Sequence, residues 1–213
     1  MSERFQRWLP WVFAGVMALT RWPGLMPPNF SAVYAFVFCA GALLGGRRAW
    51  ALPLATMLVT DLVLNAYYQF GRGWDVFTVT GLALLLANYT GYAVLFGLGR
   101  LFNPQTRLLN LITGGILGAV LFYIVTNTAA WLFNPFHNPE YTRTFAGWLI
   151  ALTKGTGGYP QTWEFFRNTL FSGGLFTALF SSAWHLTAAE SPADKGEAVE
   201  PETDEPPAEA EGS

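Results

Sequence analysis

Six apolar runs, each near the length of a membrane-spanning helix and each bounded by charge, proline or glycine, constrain this chain more than any other feature. A bilayer core about 30 Å thick requires roughly 20 apolar residues per helix. The runs cover approximately residues 8–21, 30–46, 50–68, 75–100, 107–133 and 163–186. They predict an all-α polytopic membrane protein whose six transmembrane helices form one bundle. The first run follows Arg4 and Arg7 as in a signal peptide, but no small-residue cleavage pattern comes after it, so we expect it to remain as a helix.

The few charged residues are divided unevenly along the chain. Only 12% of the 213 residues are charged, against about 25% in soluble proteins. Nine of the 14 acidic residues lie in the last 26 positions, whereas 11 of the 12 Lys and Arg residues lie before them. Residues 1–187 are therefore expected to form the transmembrane domain, and residues 188–213 a disordered acidic tail. The basic residues occur singly or in pairs, which argues against a nucleic-acid-binding surface.

The positions of the basic residues also predict an orientation. With the N-terminus inside, seven of them are cytoplasmic and five lie outside or near the outer surface. Short loops follow this rule best, and Arg47-Arg48 and Arg100 to Arg107 flank the two inner hairpins. We therefore expect a multi-pass protein of the inner cell membrane with both termini, and the acidic tail, in the cytoplasm.

Metal and cofactor sites have little support in the sequence. Cys39 is the single cysteine, which excludes an internal disulfide and any multi-cysteine metal site. With only His137 and His185 in the chain, a histidine-built metal centre is also poorly supported. We expect neither a metal nor a cofactor.

Polar side chains gather at the predicted outer ends of four helices. Asp61 lies about 16 Å along the third run from Trp50, and Asn65 follows one turn later on the same face. An Asp at the centre of a membrane helix costs roughly 2.5–3.5 kcal/mol, so its presence requires an explanation. The common depth predicts a polar, aromatic-lined pocket that opens to the outside. The candidate substrate-binding residues are Asn29, Asp61, Asn65, Asn127, Trp131, Trp163, Arg167 and Asn168.

The alternative is that these groups only pair between helices, where each contributes about 0.6 kcal/mol on average. A salt bridge between Asp61 and Arg167 would be such a pair. Asn88 and Tyr92, four residues apart on the fourth run, are interpreted as interhelical hydrogen-bonding residues rather than ligand contacts.

A long outer segment, residues 134–162, joins the fifth and sixth runs and contains several Pro and Gly residues around an apolar stretch at 145–152. Loops of this length in compact proteins commonly cover a site. The segment is therefore expected to be a lid over the pocket, with a surface helix lying in the membrane interface as the open alternative.

Three runs carry pairs of small residues at four-residue spacing, which are Ala14 and Ala18, Gly41 and Gly45, and Gly114 and Gly118. Such pairs let helices approach closely, either within a bundle or against another membrane protein. Because the first run is short and peripheral in the sequence, its small face is a candidate contact for a partner.

Several short motifs together resemble a known class of membrane protein. They are Pro27-Pro28-Asn29-Phe30-Ser31, Leu52-Pro53-Leu54 with Thr60-Asp61-Leu62, Thr126-Asn127 with Trp131, and Phe165-Phe166-Arg167-Asn168-Thr169-Leu170. Over about residues 8–186, the set resembles an uncharacterised family of bacterial six-helix transport proteins. That family is similar to the substrate-binding S components of energy-coupling-factor (ECF) vitamin transporters. The resemblance implies an outward-facing pocket under extracellular loops. It also implies that Ala14 and Ala18 dock on a transmembrane coupling subunit driven by two ATPases.

The leading hypothesis is a membrane uptake protein that binds a small, vitamin-like organic micronutrient from outside and moves it across the bilayer. Trp131 and Trp163 would stack on the ligand, Arg167 and Asp61 would fix its charge, and the asparagines would hydrogen-bond it. The alternative is a membrane scaffold or assembly protein whose polar residues are structural and whose acidic tail recruits a partner. An enzyme has the least support, because no nucleophile and base, and no paired carboxylates, lie within a run. The chain also lacks a phosphate-binding loop pattern, so any ATP hydrolysis would come from partners.

Overall fold

The structure, a computed structural model, describes residues 2–189, with side chains over residues 5–188. Throughout this range the chain is all-helical. The helices are α1 (Ser2–Thr20), α2 (Val33–Leu43), α3 (Arg48–Ala66), α4 (Val79–Gly99), α5 (Leu108–Phe133), α6 (Phe145–Leu152) and α7 (Thr162–Ala189). A π-helical turn, Tyr67–Gly71, continues α3. From position 190 onward the predicted acidic tail lies outside the described residues.

Each of the six apolar runs forms its own helix, and the short α6 lies within the long 134–162 segment. In the described part of the chain, three helices are long and apolar enough to cross a membrane: α3 with its π-helical turn, α4 and α5. The described chain is therefore all-helical, and its long apolar helices indicate a membrane protein.

The second helix is shorter than the sequence predicts. It contains 11 residues, which span about 16 Å, whereas the run at 30–46 predicted a helix of about 17 residues. Asn29 before it and Gly46 after it both have a φ of 60°. The helix itself ends before Leu44, whose backbone is extended, with a φ of −96° and a ψ of 143°. The left-handed residues, which cannot continue a right-handed helix, then turn the chain beyond each end.

This short helix α2 occupies the centre of the bundle. All 11 of its residues are buried, and it packs against α1, α3, α4, α5 and α7. Its closest approach is to α4, where a Cβ added at Gly99 would lie 2.3 Å from the carbonyl oxygen of Phe38. A Cβ at Gly41 would lie 2.6 Å from the carbonyl oxygen of Phe96. Glycine on both helices thus allows the two backbones to touch.

The bundle has two chemically different ends. At the α6 end, α1, α3 and α5 finish and α2, α4 and α7 begin. Two hydrogen bonds connect the elements there: Ala32 N donates to Thr20 Oγ1 at 3.0 Å, and Asn168 Nδ2 donates to the Pro28 carbonyl at 2.9 Å. At the opposite end, which we call the arginine end, Arg100 Nη1 donates to the Gly41 carbonyl at 3.3 Å. The arginine end carries Arg7, Arg47, Arg48, Arg100 and Arg107.

Candidate functional site

A cavity of about 590 Å³ opens at the α6 end and reaches the middle of the bundle. Its inner part is aromatic: the ring of Phe122 lies edge-on to Tyr34, with centroids 5.0 Å apart, and is stacked on Tyr92 at 4.9 Å. Its polar lining comes from Thr20, Arg21, Asn29, Ser31, Tyr68, Asn88, Thr126 and Asn127. The volume falls within the range of small-molecule sites, which combine apolar walls with a few convergent polar groups.

The connection between α1 and α2, residues 20–32, forms the rim of the cavity. Thr20 anchors it, because its hydroxyl donates to the Met17 carbonyl at 3.0 Å and accepts from the backbone N–H of Ala32. Gly24, with a φ of 84°, and the left-handed Asn29 turn the chain between these fixed points. The polar side chains of the rim are therefore held by a closed loop whose two ends are tied together.

A charged network forms one wall behind this rim. Arg21 forms a salt bridge to Asp61 through Nη2 and donates from Nη1 to Thr60 Oγ1 at 2.8 Å. Tyr89 donates its hydroxyl proton to the second oxygen of Asp61, also at 2.8 Å. The two charged side chains are only 16% and 12% exposed. Pairing and hydrogen bonding thus satisfy an Asp that would otherwise be very costly in an apolar helix.

This network corrects the partner considered for Asp61. The carboxylate binds Arg21 from the α1–α2 connection, whereas Arg167 is exposed and its guanidinium lies 5.6 Å from the ring centroid of Trp163. Arg21 also lines the cavity and Asp61 does not. The acid therefore holds the arginine in the wall of the cavity.

The other predicted site residues are divided between the cavity and its surroundings. Asn29 and Asn127 line the cavity, whereas the remaining five do not. Those five are Asn65, Trp131, Trp163, Arg167 and Asn168.

Hydrogen bonds account for three of the residues outside the cavity. Trp131 Nε1 donates to the Thr142 carbonyl at 2.7 Å, and Trp163 Nε1 donates to Gln161 Oε1 at the same distance. Asn168 donates to Pro28, so it supports the rim from behind. These side chains share the depth that the sequence indicated, but their helices turn them away from the cavity.

Two residues interpreted as interhelical contacts line the cavity instead. Asn88 and Tyr92 lie one turn apart on α4, and both face it. Asn88 is exposed although it lies in the interior of a long apolar helix. An Asn and a Tyr at i and i+4 on such a helix were the sequence signal for this wall.

The long 134–162 segment does not line the cavity. Its helix α6 packs on α5 and α7, where Trp148 Nε1 donates to Thr128 Oγ1 at 2.9 Å and Tyr123 donates its hydroxyl proton to the Leu152 carbonyl. Gly147 and Ala151 are the buried residues of α6, and Gly147 lies against Thr142 of the same segment. The segment thus packs beside the cavity without lining it, and the α1–α2 connection forms the rim.

A carboxylate ties the two halves of the 134–162 segment together. Glu140 Oε1 accepts from the backbone N–H of Gly157 at 2.9 Å, and this hydrogen bond lowers the pKa of the carboxyl group. The pKa of Tyr141 is raised, first by burial and then by the negative charge of Glu140. The segment thus contains one acid whose ionised form is preferred in the folded state.

The two predicted docking residues on α1 have different surroundings. Ala14 is 7% exposed and packs in the hydrophobic core with Phe13 and Met17. Ala18 is half-buried and lines a groove between α1 and α3. The pair therefore does not form one open small-residue face.

Over residues 2–189, the fold and the cavity define an all-helical protein with three helices long and apolar enough to cross a membrane and with a polar cavity at one end of its bundle. The profile of a family of unknown function (DUF6580) matches residues 2–194, so the chain belongs to that family. No curated protein and no solved structure matches the chain.

Proposed function

We propose that this chain is a membrane uptake protein that binds a small organic micronutrient in the cavity and moves it across the bilayer. The observation that carries the proposal is the cavity itself, which combines about 590 Å³ of space, aromatic inner walls and several polar groups. Asn127 donates to the Tyr123 carbonyl at 2.9 Å through its amide nitrogen, which leaves its side-chain oxygen for a ligand. Arg21 supplies the positive group of the wall.

In the proposed topology the protein crosses the inner cell membrane six times and has both termini in the cytoplasm. In addition to the three long apolar helices, α1 and α7 flank the bundle and α2 runs through its buried centre. The short connections at the arginine end carry Arg47 and Arg48 between α2 and α3 and Arg100 and Arg107 between α4 and α5. The preference of basic residues in short loops for the inner side supports a cytoplasmic arginine end. The cavity then opens to the outside.

By resemblance to ECF S components, we propose a transmembrane coupling subunit with two ATPases as the partner. The contact would lie on α1, whose exposed apolar side chains include Trp8, Val12 and Leu19. Because Ala14 is buried and Ala18 lines a groove between α1 and α3, these exposed apolar side chains carry the proposed contact instead of the original pair.

Mass spectrometry of small molecules released from the detergent-purified full chain tests the uptake proposal. The parent chain is compared with an Asn88→Ala, Asn127→Ala double variant that removes two amides from the cavity lining. An Asn110→Ala variant is the matched control, because Asn110 is exposed near the start of α5 at the arginine end.

We expect one stoichiometric compound in the parent and the control and a large loss of it in the double variant. A compound retained equally by all three proteins would falsify the assignment of these residues. Parent protein without any bound compound, and without uptake of labelled vitamins in cells, would favour the scaffold hypothesis instead.

A further inference from the structure

A second concave surface lies between α1 and α3, away from the cavity. It is a groove of about 600 Å³, which we call the α1–α3 groove. The wall from α3 is formed by Arg48, Ala51, Leu52, Ala55, Thr56, Val59 and Thr60, a helical spacing that places them on one face. The small side chains of Ala51, Ala55 and, on α1, Ala18 leave the space between the helices unfilled.

The groove has the dimensions of one membrane leaflet. From Arg48 to Thr60 it extends about 18 Å along α3, compared with about 15 Å for half of the hydrocarbon core. Along this length it is apolar, and it is open on the side of Trp11, Ala55 and Val59, all of which are exposed. A hydrocarbon chain therefore fits its length and chemistry.

Three arginines close the groove at the arginine end. Arg7, Arg47 and Arg48 all border it and are all exposed. Within residues 5–188, the arginine side chains that form salt bridges or hydrogen bonds are Arg21 and Arg100, so these three guanidinium groups have no partner there. Arg7 and Arg48 also border a second hollow of about 400 Å³ beside the end of α2 and Trp184, so the positive charge lies where the two hollows meet.

Exposed tryptophans mark the same level of the bundle. Trp8, which follows Arg7, and Trp50, two residues after Arg48, are 64% and 53% exposed. Indole rings concentrate at the boundary between headgroups and hydrocarbon. The arginines are thus placed at headgroup depth, with the apolar groove running inward from them.

We propose that the α1–α3 groove is a binding site for an anionic phospholipid. One acyl chain lies in the groove, and the phosphate accepts hydrogen bonds from Arg7, Arg47 and Arg48. Basic pockets between membrane helices on the cytoplasmic side hold anionic headgroups in this way, and guanidinium is well shaped for phosphate oxygens. The lining favours lipid over a protein helix, because it combines three exposed arginines at one end with an apolar length close to that of one leaflet. The proposal does not depend on the transport role of the cavity.

Native mass spectrometry of the full chain in detergent, titrated with phosphatidylglycerol or phosphatidylcholine, tests the headgroup. An Arg47→Gln, Arg48→Gln variant is compared with an Arg107→Gln control at the same end of the bundle. We expect the parent to prefer phosphatidylglycerol, and the double variant to lose roughly 30-fold in affinity for it, at about fivefold per charge. The control should bind as the parent does.

An Ala55→Trp variant tests the acyl chain, since an indole at this position fills the groove while the arginines remain. A matched control, Leu86→Trp, adds the same ring to an exposed site on α4. We expect lipid binding to fall in the first variant only. Equal binding of both lipids, equal losses in Arg107→Gln, or unchanged binding in Ala55→Trp would overturn the proposal. So would a photocrosslinker at position 55 that captures a protein in membranes instead of lipid.

Discussion

At the scale of single residues, Asp61 shows how an acid is accommodated in an apolar helix. Its two oxygens bind Arg21 and Tyr89, and Thr60 holds the second nitrogen of the same guanidinium. The three partners come from the α1–α2 connection, α4 and α3. The network therefore links the rim of the cavity to two helices.

Removing one charge of this pair should be far more damaging than removing both. Either single variant, Asp61→Asn or Arg21→Gln, leaves the other member of the pair as an uncompensated and largely buried charge. This costs about 3 kcal/mol or more. In the double variant Arg21→Gln, Asp61→Asn the two neutral side chains can still hydrogen-bond. Thermal unfolding in detergent should show the double variant closer to the parent than either single variant.

The control for these three variants is Asp75→Asn, because Asp75 is exposed beyond the π-helical turn. It should unfold like the parent. Strictly additive effects of the two single changes would show that Arg21 and Asp61 do not interact.

Glu140 gives a second residue-scale prediction, on pH. Its pKa is lower in the folded state than in an unfolded chain, because the ionised carboxylate accepts the Gly157 N–H. The stabilisation is therefore complete above the unfolded carboxyl pKa of about 4.3 and is lost as the pH falls through the lowered folded value. Hydrogen exchange of the Gly157 amide should accelerate, relative to other amides, over that acidic range.

A Glu140→Gln variant should remove this acid dependence of Gly157 protection, since the amide does not ionise over that range. Glu164→Gln changes another acid at the α6 end and should leave the dependence as in the parent. If the protection of the Gly157 amide in the parent protein is constant down to the lowest pH measured, the hydrogen bond from Gly157 to Glu140 is contradicted.

At the scale of helices, the contact between α2 and α4 depends on two glycines. Gly99 has no room for a side chain, because its Cβ would meet the Phe38 carbonyl. Gly97, two residues earlier on the same helix, is exposed with open space around it. The two positions therefore form a matched pair for substitution.

Gly99→Ala should destabilise the protein by about 2 kcal/mol, because the two backbones must move apart. Gly97→Ala should be neutral or stabilising by up to about 1 kcal/mol, since alanine favours the helix and meets nothing. Unfolding of both variants in the same detergent provides the comparison. Equal effects at the two positions would mean that α2 and α4 are not in backbone contact.

The six helices were predictable from the sequence because apolar runs of this length have few alternatives to helix in a bilayer. The length of α2 was not. Its neighbours remain largely apolar beyond both ends, and the backbone limits it: Leu44 is extended, with a φ of −96° and a ψ of 143°, and Asn29 and Gly46 are left-handed. Burial on every face, which comes from the five helices around it, also follows from tertiary packing alone.

At the scale of the whole molecule, the proposed orientation can be tested with single cysteines. Cys39 is 1% exposed, so its own reaction with a bulky thiol reagent should be minimal, and a Cys39→Ala chain provides a clean background. Cysteines would be introduced at Gly73 and Asn138 near the α6 end and at Gln105 between α4 and α5.

In intact cells, a membrane-impermeant reagent should label positions 73 and 138 but not 105. After the cells are broken open, all three should react. Labelling of position 105 in intact cells would reverse the proposed orientation and place the mouth of the cavity in the cytoplasm.

The sequence by itself determined the all-helical class, the six helical segments and the gathering of polar groups at one end. Hydrophobicity and helix length are local properties, and depth along a helix follows directly from residue number. Only the tertiary structure decided which of those groups face one cavity. Asn88 and Tyr92 line it while Trp163 and Arg167 do not, and Asp61 pairs with Arg21. The reason is that each helix can rotate about its axis without changing its depth, and the packing of neighbouring helices, together with the turns of the α1–α2 connection, fixes that rotation.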